Sequence, residues 1–210
     1  MKLIEVNDEL CSAKYDAAHF LCQNSVERGN FMLQLQPFTA KDFEQLIDWV
    51  STDAFLLQWG GPAFTYPLTT AQLHQYIFGA NVEDATTYVF KAIDSTTNAC
   101  IGHISIGRVD RIYRCARIGK VLIAPEHRGK GYGGQLMNEA LTYAFGELQL
   151  ERVTLGVFDF NEAAIQCYEK IGFTQHRFIE NARAYHNTYW HLIEMELTKE
   201  RWLAAQRITV

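Results

Sequence analysis

A glycine-rich segment in the second half of the chain has the residue types and spacing to bind a phosphate group. It connects a β-rich run to an amphipathic, helix-like stretch, and its residues are Arg128, Gly129, Lys130, Gly131, Tyr132, Gly133 and Gly134. Glycines leave backbone N–H groups uncovered, and the start of a helix carries a partial positive charge. Two of the side chains add cationic charge to the same turn. The segment therefore predicts a site for an anion such as a pyrophosphate.

Two known phosphate motifs can be compared with this segment. A Walker A motif needs Ser or Thr after its lysine, but Gly131 follows Lys130, so a P-loop nucleoside triphosphatase is excluded. Gly129, Gly131 and Gly134 formally match the dinucleotide motif Gly-x-Gly-x-x-Gly. That motif should follow its strand directly in an opening β-α-β unit, whereas residues 125–128 intervene here after three β-rich runs. A turn without any ligand is disfavoured because four glycines in six residues carry an entropic cost.

A second segment, from Asn161 to Phe173, combines a helix start with a tyrosine and a cysteine. Asn161 suits a helix N-cap, and the helical pattern after it ends before Gly172. Tyr168 lies within this helix, and its spacing alone favours a core tyrosine. The neighbouring Cys167 points about 100° away on a helix. It has no histidine nearby in sequence, so we interpret it as structural and expect no acyl-cysteine intermediate.

The apolar pattern predicts the elements that position these segments. The predicted helices cover residues 39–50, 69–80, 134–148 and 162–171. The predicted strands cover residues 32–37, 86–93, 99–109, 113–123, 153–158, 173–179 and 188–197. Short connections between the three central runs indicate an antiparallel meander, so we expect a mixed α/β (α+β) domain of residues 31–210. Residues 1–30 are more polar and end in Gly29-Asn30, and we interpret them as an N-terminal extension.

Both segments resemble the GNAT superfamily of N-acetyltransferases. Residues 128–133 resemble its acetyl-CoA signature, Q/R-x-x-G-x-G/A, and residues 116–125 and 161–173 are similar to the elements that flank that signature. The resemblance extends over residues 31–197 and is nearest in character to the RimJ/RimL-like group. It implies a largely antiparallel mixed sheet flanked by helices. In this fold the strands that end near Ile123 and Phe158 splay apart and leave a slot for pantetheine.

The resemblance also implies an acetyl-CoA site and direct transfer of the acetyl group in a ternary complex. The backbone of residues 128–134 would bind the pyrophosphate, and the strand Val121, Leu122 and Ile123 would pair with pantetheine. The N–H near Leu122 would then polarise the thioester carbonyl. Tyr168 matches the position that protonates the departing thiolate. Asn161 matches a cofactor contact as well as a helix cap, and these two roles are compatible.

The general base is not defined by the resemblance. Many relatives carry a Glu in the strand before the glycine-rich segment, where this chain has Arg117. The candidates in this chain are His103, Asp159, Glu126 and Glu194. Exposed carboxylates and a strand histidine more often serve solvation or packing, so deprotonation through water stays open as an alternative.

The acceptor is expected to be the primary amine of a protein N-terminus or of a small molecule. Its specificity is assigned to the loop Trp59–Leu68 and to a hairpin tip at Tyr185–Tyr189. A non-catalytic acetyl-CoA sensor is the alternative function, and it would need no productive amine pocket. The presence of Tyr168 favours the enzyme.

Composition narrows the remaining classes. The formal net charge is −5 and no dense basic block is present, which argues against nucleic-acid binding. No apolar run approaches the roughly 18 residues of a membrane span. Five scattered cysteines form no Cys-x-x-Cys pair, so no metal site is expected and the thiols are expected to be reduced. We therefore expect a cytoplasmic monomer or homodimer.

Overall fold

The structure, a computed structural model, describes residues 33–208, and its centre is a seven-stranded sheet. The strands are β1 (Leu33–Pro37), β2 (Tyr88–Asp94), β3 (Cys100–Asp110), β4 (Cys115–Ile123), β5 (Arg152–Phe158), β6 (Thr174–Tyr185) and β7 (Thr188–Thr198). They lie in the order β1-β2-β3-β4-β5-β7-β6. The predicted extension of residues 1–30 lies outside the described residues.

Six α-helices accompany the sheet within residues 33–208. They are α1 (Phe43–Trp49), α2 (Asp53–Gly60), α3 (Thr70–Ile77), α4 (Tyr132–Thr142), α5 (Glu162–Ile171) and α6 (Lys199–Ile208). A π-helical turn, Tyr143–Glu147, continues α4. None of the helices in this part of the chain is long and apolar enough to cross a membrane.

The pairing of β4 with β5 is the feature of the sheet that matters for function. These two strands are parallel, and every other neighbouring pair is antiparallel. They pair only where Cys115–Arg117 faces Arg152–Thr154. Beyond this point β4 continues alongside β3, and β5 continues alongside β7. The predicted mixed, largely antiparallel sheet with splayed central strands is therefore confirmed.

Two apolar layers cover the two faces of the sheet. On one face α4 and its continuation contribute fully buried side chains such as Leu136, Met137 and Phe145. On the other face Leu46, Leu56 and Leu73 come from α1, α2 and α3. Each of these side chains is 2% exposed or less, so both layers hold the strands in place around the gap between β4 and β5.

The observed elements differ from the predicted ones at two helices. Asp53–Gly60 forms α2, which places Trp59 in a helix and not at the start of a loop. Thr52 caps this helix by accepting a hydrogen bond from the N–H of Phe55 at 3.1 Å. The helix was not predicted, because its last residues run into two glycines that indicate a loop. The helix α6 was also not predicted. The other predicted elements are present, although β6 extends beyond residue 179 to Tyr185.

Candidate active site

The gap between the diverging strands forms a cavity of about 290 Å³. One wall is residues 118–123 of β4, and the opposite wall is residues 155–158 of β5. The remaining lining residues come from α2, from the glycine-rich segment, and from the start and middle of α5, and they are Phe55, Gln58, Trp59, Arg128, Asn161 and Tyr168. The cleft therefore collects residues from both predicted functional segments. Beyond Arg117, the edge of β4 that faces β5 has no strand partner within residues 33–208.

The glycine turn, residues 128–134, lies at one end of this cleft. Gly129 and Gly131 have φ angles of 75° and 83°, in the left-handed region that glycine adopts without strain. A Cβ added at Gly129, Gly131 or Gly133 would meet no atom within 4 Å, so this backbone faces open space. Helix α4 begins at Tyr132, and its first N–H groups have no intrahelical acceptors. These features fit a bound anion such as a pyrophosphate.

Side-chain hydrogen bonds fix the glycine turn in position. The Tyr132 hydroxyl donates to the Asp94 carboxylate at 3.1 Å, and burial together with this carboxylate raises the pKa of Tyr132. Arg128 Nε donates to the carbonyl of Ile123 at 3.0 Å, and Lys130 Nζ donates to the carbonyl of Glu126 at 2.9 Å. Both cations therefore stay beside the exposed backbone of the turn.

A β-bulge interrupts β4 where it borders the cleft. Leu122 pairs with His103 and Gly119 pairs with Ser105, so Lys120 and Val121 face a single residue of β3. Lys120 has a φ angle of 51°, which is uncommon for a residue other than glycine. The bulge changes the direction of the backbone within the segment that was predicted to contact pantetheine and the thioester.

Helix α5 brings Tyr168 to the cleft. The Tyr168 side chain is 9% exposed, and burial raises the pKa of its hydroxyl, which therefore stays protonated at neutral pH. At the start of the helix, Asn161 Oδ1 accepts a hydrogen bond from the N–H of Ala164 at 3.4 Å, as expected of an N-cap. Burial also raises the pKa of Cys167, so this group is a thiol and not a reactive thiolate.

The structure places the four candidate bases differently. His103 is fully buried, its Nδ1 lies 3.0 Å from the carbonyl of Lys120, and burial lowers its pKa to about 4. Glu194 accepts a hydrogen bond from Arg117 Nη1 at 3.1 Å. Neither Glu126 nor Asp159 lines the cleft. None of the four therefore combines a free proton-accepting group with access to the cleft.

An aromatic wall on the same side of the sheet as α2 was not predicted. We define it as Trp59, Phe64 and Tyr76. The Trp59 and Phe64 rings stack at 5.5 Å, and the Phe64 and Tyr76 rings meet edge-on at 5.4 Å. The ammonium of Lys120 lies 5.0 Å from the centre of the Tyr76 ring. Trp59 and Phe64 belong to the loop that was predicted to select the acceptor, but their association with Tyr76 and Lys120 is visible only in the folded chain.

The tip of the β6–β7 hairpin contacts the start of α2. The Tyr185 hydroxyl donates to Asp53 Oδ1 at 3.2 Å, and the Tyr185 ring packs 4.7 Å from the ring of Trp190. Trp190 in turn packs against Phe158 of the cleft at 5.0 Å. The two segments predicted to select the acceptor therefore both adjoin α2, and Trp190 connects the hairpin to the cleft.

Comparison with known proteins identifies the family. The acetyltransferase (GNAT) domain family matches residues 32–174. A spermidine N(1)-acetyltransferase of Vibrio cholerae is 27% identical over 140 residues, which cover 67% of this chain and 80% of that protein. A putative ribosomal N-acetyltransferase of Bacillus subtilis is 33% identical over 101 residues, which cover 48% of this chain and 55% of that protein.

A solved structure supports the fold. The crystal structure of spermidine N-acetyltransferase from Vibrio cholerae in complex with CoA and spermine superposes with a TM-score of 0.71. Its sequence is 24% identical, and the match covers 82% of this chain and 98% of that chain. The fold and the superfamily predicted from the sequence are thus confirmed. The chain belongs to the GNAT acetyltransferase family and is an acetyl-CoA-dependent N-acetyltransferase.

Proposed function

We propose that the chain acetylates a primary amine of a small aliphatic polyamine, by direct attack on acetyl-CoA bound in the cleft. The observation that carries this proposal is the cleft itself. Two strands part beside an exposed glycine turn, and a buried tyrosine hydroxyl borders the gap. This arrangement suits the successive parts of acetyl-CoA: the pyrophosphate at the glycine turn, the pantetheine arm between the strands and the departing thiolate near the tyrosine.

The acetyl-CoA site is assigned to the residues predicted from the sequence. In this proposal the backbone of the glycine turn binds the pyrophosphate, and the free edge of β4 at Val121–Ile123 holds pantetheine. A backbone N–H near Leu122, in the segment that follows the bulge, is assigned to polarise the thioester carbonyl and to stabilise the oxyanion. Asn161 caps α5 and lines the cleft, so it can also contact the cofactor.

Tyr168 is proposed as the acid that protonates the thiolate. Its raised pKa keeps the proton on the hydroxyl until the sulfur becomes basic. The Cys167 thiol is not part of this proposal, because burial raises its pKa and disfavours the thiolate that an acyl-cysteine route needs. The amine therefore attacks the thioester directly.

The choice of a polyamine rests on the relatives and on the surroundings of the cleft. Spermidine N(1)-acetyltransferases of Vibrio cholerae and Escherichia coli are 27% and 29% identical to this chain. At the proposed acceptor entrance Asp53 lies beside Tyr185, and Phe158 packs against Trp190. A carboxylate beside aromatic rings suits an aliphatic ammonium group.

A RimJ/RimL-like acetyltransferase is the second candidate. The observation that favours it is the 33% identity to the putative ribosomal N-acetyltransferase, which is restricted to 101 residues. Such an enzyme would accept the N-terminal amine of a protein in place of a polyamine.

An acceptor screen tests the proposal. Thiol release and product mass are measured with spermidine, with spermine and with peptides that carry a free N-terminus. We expect the highest kcat/KM for a polyamine, whereas a preference for peptides would favour the RimJ/RimL-like candidate. Thermal stabilisation by acetyl-CoA without thiol release from any acceptor would favour a sensor. A ligand at 100 times its Kd adds about 2.7 kcal/mol of stability, so stabilisation by acetyl-CoA and not by NAD checks the cofactor.

The domain division is a further part of the proposal. Residues 31–210 are assigned to the catalytic domain, and residues 1–30 to an extension outside it. A chain that starts at residue 31 should keep the activity of the full chain on the same acceptor. Loss of activity in a folded shortened chain would contradict this division.

A further inference from the structure

Lys120 occupies an unusual place for a lysine. It lies in the bulge of β4, where its φ angle is 51°, and it lines the cleft between Gly119 and Val121. Its side chain leaves the cleft wall toward the helices on the side of the sheet that carries the aromatic wall, as its ring contacts show. This lysine therefore lines the cleft beside the proposed thioester position, and its side chain lies on the face of the sheet that carries Trp59.

Among the residues that the structure describes, the ammonium of Lys120 has aromatic neighbours and no carboxylate partner. Its Nζ lies 5.0 Å from the ring centre of Tyr76 and 5.7 Å from that of Phe64. Within residues 33–208, no Asp or Glu oxygen lies within 4.0 Å of it. Burial, and secondarily the positive charge of Arg108, lowers its pKa. A lysine in such surroundings loses its proton more readily than one in water.

Arg117 bears on why no carboxylate of this region is assigned as the general base. It occupies the neighbourhood where many family members carry a Glu, and its guanidinium lies so close to Gly156 that a Cβ there would overlap it. This position lets Arg117 bind Glu194, the carboxylate on the neighbouring strand. Glu194 is thereby held as the ion-pair partner of Arg117, and it does not line the cleft.

We propose that Lys120 is the general base that accepts a proton from the acceptor amine. The inference rests on the proposed function. In its neutral form, Lys120 Nζ takes one proton from R–NH₃⁺, and the resulting amine attacks the thioester carbon. The C–N bond forms and the C–S bond breaks. The thiolate takes a proton from Tyr168, which regains one from the attacking nitrogen through solvent, and Lys120 finally releases its proton to water. The products are R–NH–CO–CH₃, CoA–SH and one proton.

Other titratable and charged groups around Lys120 affect this step. Tyr76 faces it from α3, and His103 and Arg108 face it from β3, while Asp42 acts on His103. The pKa of Tyr76 is raised and that of His103 is lowered, so both are neutral near pH 8. The pH dependence of the step is then set by Lys120 and by the acceptor. When a cationic acceptor approaches, its positive charge further disfavours the protonated form of Lys120.

The test compares Lys120→Met and Lys120→Arg with the unchanged protein. Both variants lack a usable base, but arginine keeps the cation over the two rings. We expect both to lose about 10²- to 10⁴-fold in kcat near pH 7.5, with little change in the Kd of acetyl-CoA. Lys170→Met, which removes an exposed lysine of α5, is the matched control and should keep its activity.

The pH profiles provide a second measurement that needs no variant. For the unchanged protein, kcat should rise with pH and then level below the usual lysine pKa of about 10.4. In Lys120→Met it should keep rising, because only solvent can then remove the proton. A folded Lys120→Arg variant with near-normal kcat would overturn the proposal, and so would an unchanged protein whose profile does not level below pH 10. If the unchanged protein acetylates no amine at all, the proposed function fails instead.

Discussion

The glycine turn and the aromatic wall each contribute one residue to the lining of the cleft, Arg128 and Trp59, but the two regions are built in opposite ways. The glycine turn is seven consecutive residues, 128–134, and its chemistry belongs to the backbone. The aromatic wall joins α2, the turn after it and α3, and it meets Lys120 of β4. A site built from backbone N–H groups needs glycines and a helix start, which are local properties. A site built from side chains needs tertiary packing, so its members are scattered along the chain.

The two regions also differ in exposure to solvent. Gly129 and Gly131 are exposed, and a Cβ added to either would meet no neighbouring atom. On the other side, Trp59 is 7% exposed and the neighbouring His103 is fully buried. The first region is therefore suited to a charged ligand that stays partly in water. The second is suited to changing the protonation of groups that water would otherwise keep at their usual pKa.

Replacing Tyr168 by Phe should give the largest effect on the side of the cleft that carries the two sequence motifs. The change removes only the hydroxyl that protonates the thiolate, so kcat should fall by about 10²- to 10⁴-fold while the acetyl-CoA Kd stays near normal. Turnover at saturating substrates and the Tm are measured on one preparation. Tyr113→Phe, in a side chain 78% exposed, is the control. Unchanged turnover with a loss of roughly 0.5 to 1.5 kcal/mol of stability would instead indicate a core tyrosine.

Protonation of His103 should produce the next largest effect, a loss of stability as the pH falls. This prediction tests the buried region around the aromatic wall. Its folded-state pKa of about 4 lies below the usual value of about 6.5, so the unfolded chain binds its proton first as the pH falls. The contribution of His103 to the free energy of unfolding is fully present above pH 6.5. It should decline by about 1.4 kcal/mol per pH unit down to about pH 4, roughly 3 kcal/mol in total.

Urea unfolding at several pH values measures this decline. His103→Asn removes the titrating ring and should flatten the curve between pH 6.5 and 4. The exposed His176 provides the control, since His176→Asn should leave the slope intact. Asp53 and Asp94, whose pKa values are lowered by hydrogen bonds to backbone N–H groups, contribute only below about pH 4. A slope that persists in His103→Asn would contradict the role of burial at this residue.

The same contrast explains which parts could be predicted from the sequence. Helix α5 was predicted with its observed bounds because Asn161 caps its start and Gly172, at a φ angle of 113°, ends it. The glycine turn was identified for a similar local reason. The aromatic wall could not be predicted, because the approach of Tyr76 to Lys120 depends on how α3 packs on the sheet. Lys120 itself lies in an ordinary β pattern, and only the bulge gives it its position.

Gly131→Val should weaken acetyl-CoA binding by about tenfold or more, which corresponds to roughly 1.4 kcal/mol. Valine at a φ angle of 83° is strained, and its methyl groups would occupy space assigned to the pyrophosphate. Gly79, an exposed glycine with a φ angle of 70°, is the matched position. Gly79→Val should carry similar backbone strain without loss of affinity. Calorimetry that found normal affinity in folded Gly131→Val would remove the phosphate assignment from the glycine turn.

Asn161→Ala should give the smallest effect and separates the two roles of this residue. Loss of an N-cap costs about 1 kcal/mol, and Thr69→Ala at the start of α3 removes a comparable cap, whose side chain accepts from the N–H of Gln72 at 3.3 Å. Both variants should therefore lose similar stability in urea. Because Asn161 lines the cleft, only its variant should also raise the Kd of acetyl-CoA. A Kd unchanged in both variants would mean that Asn161 acts only as a cap, and the cofactor would then be held without a contact from this side chain.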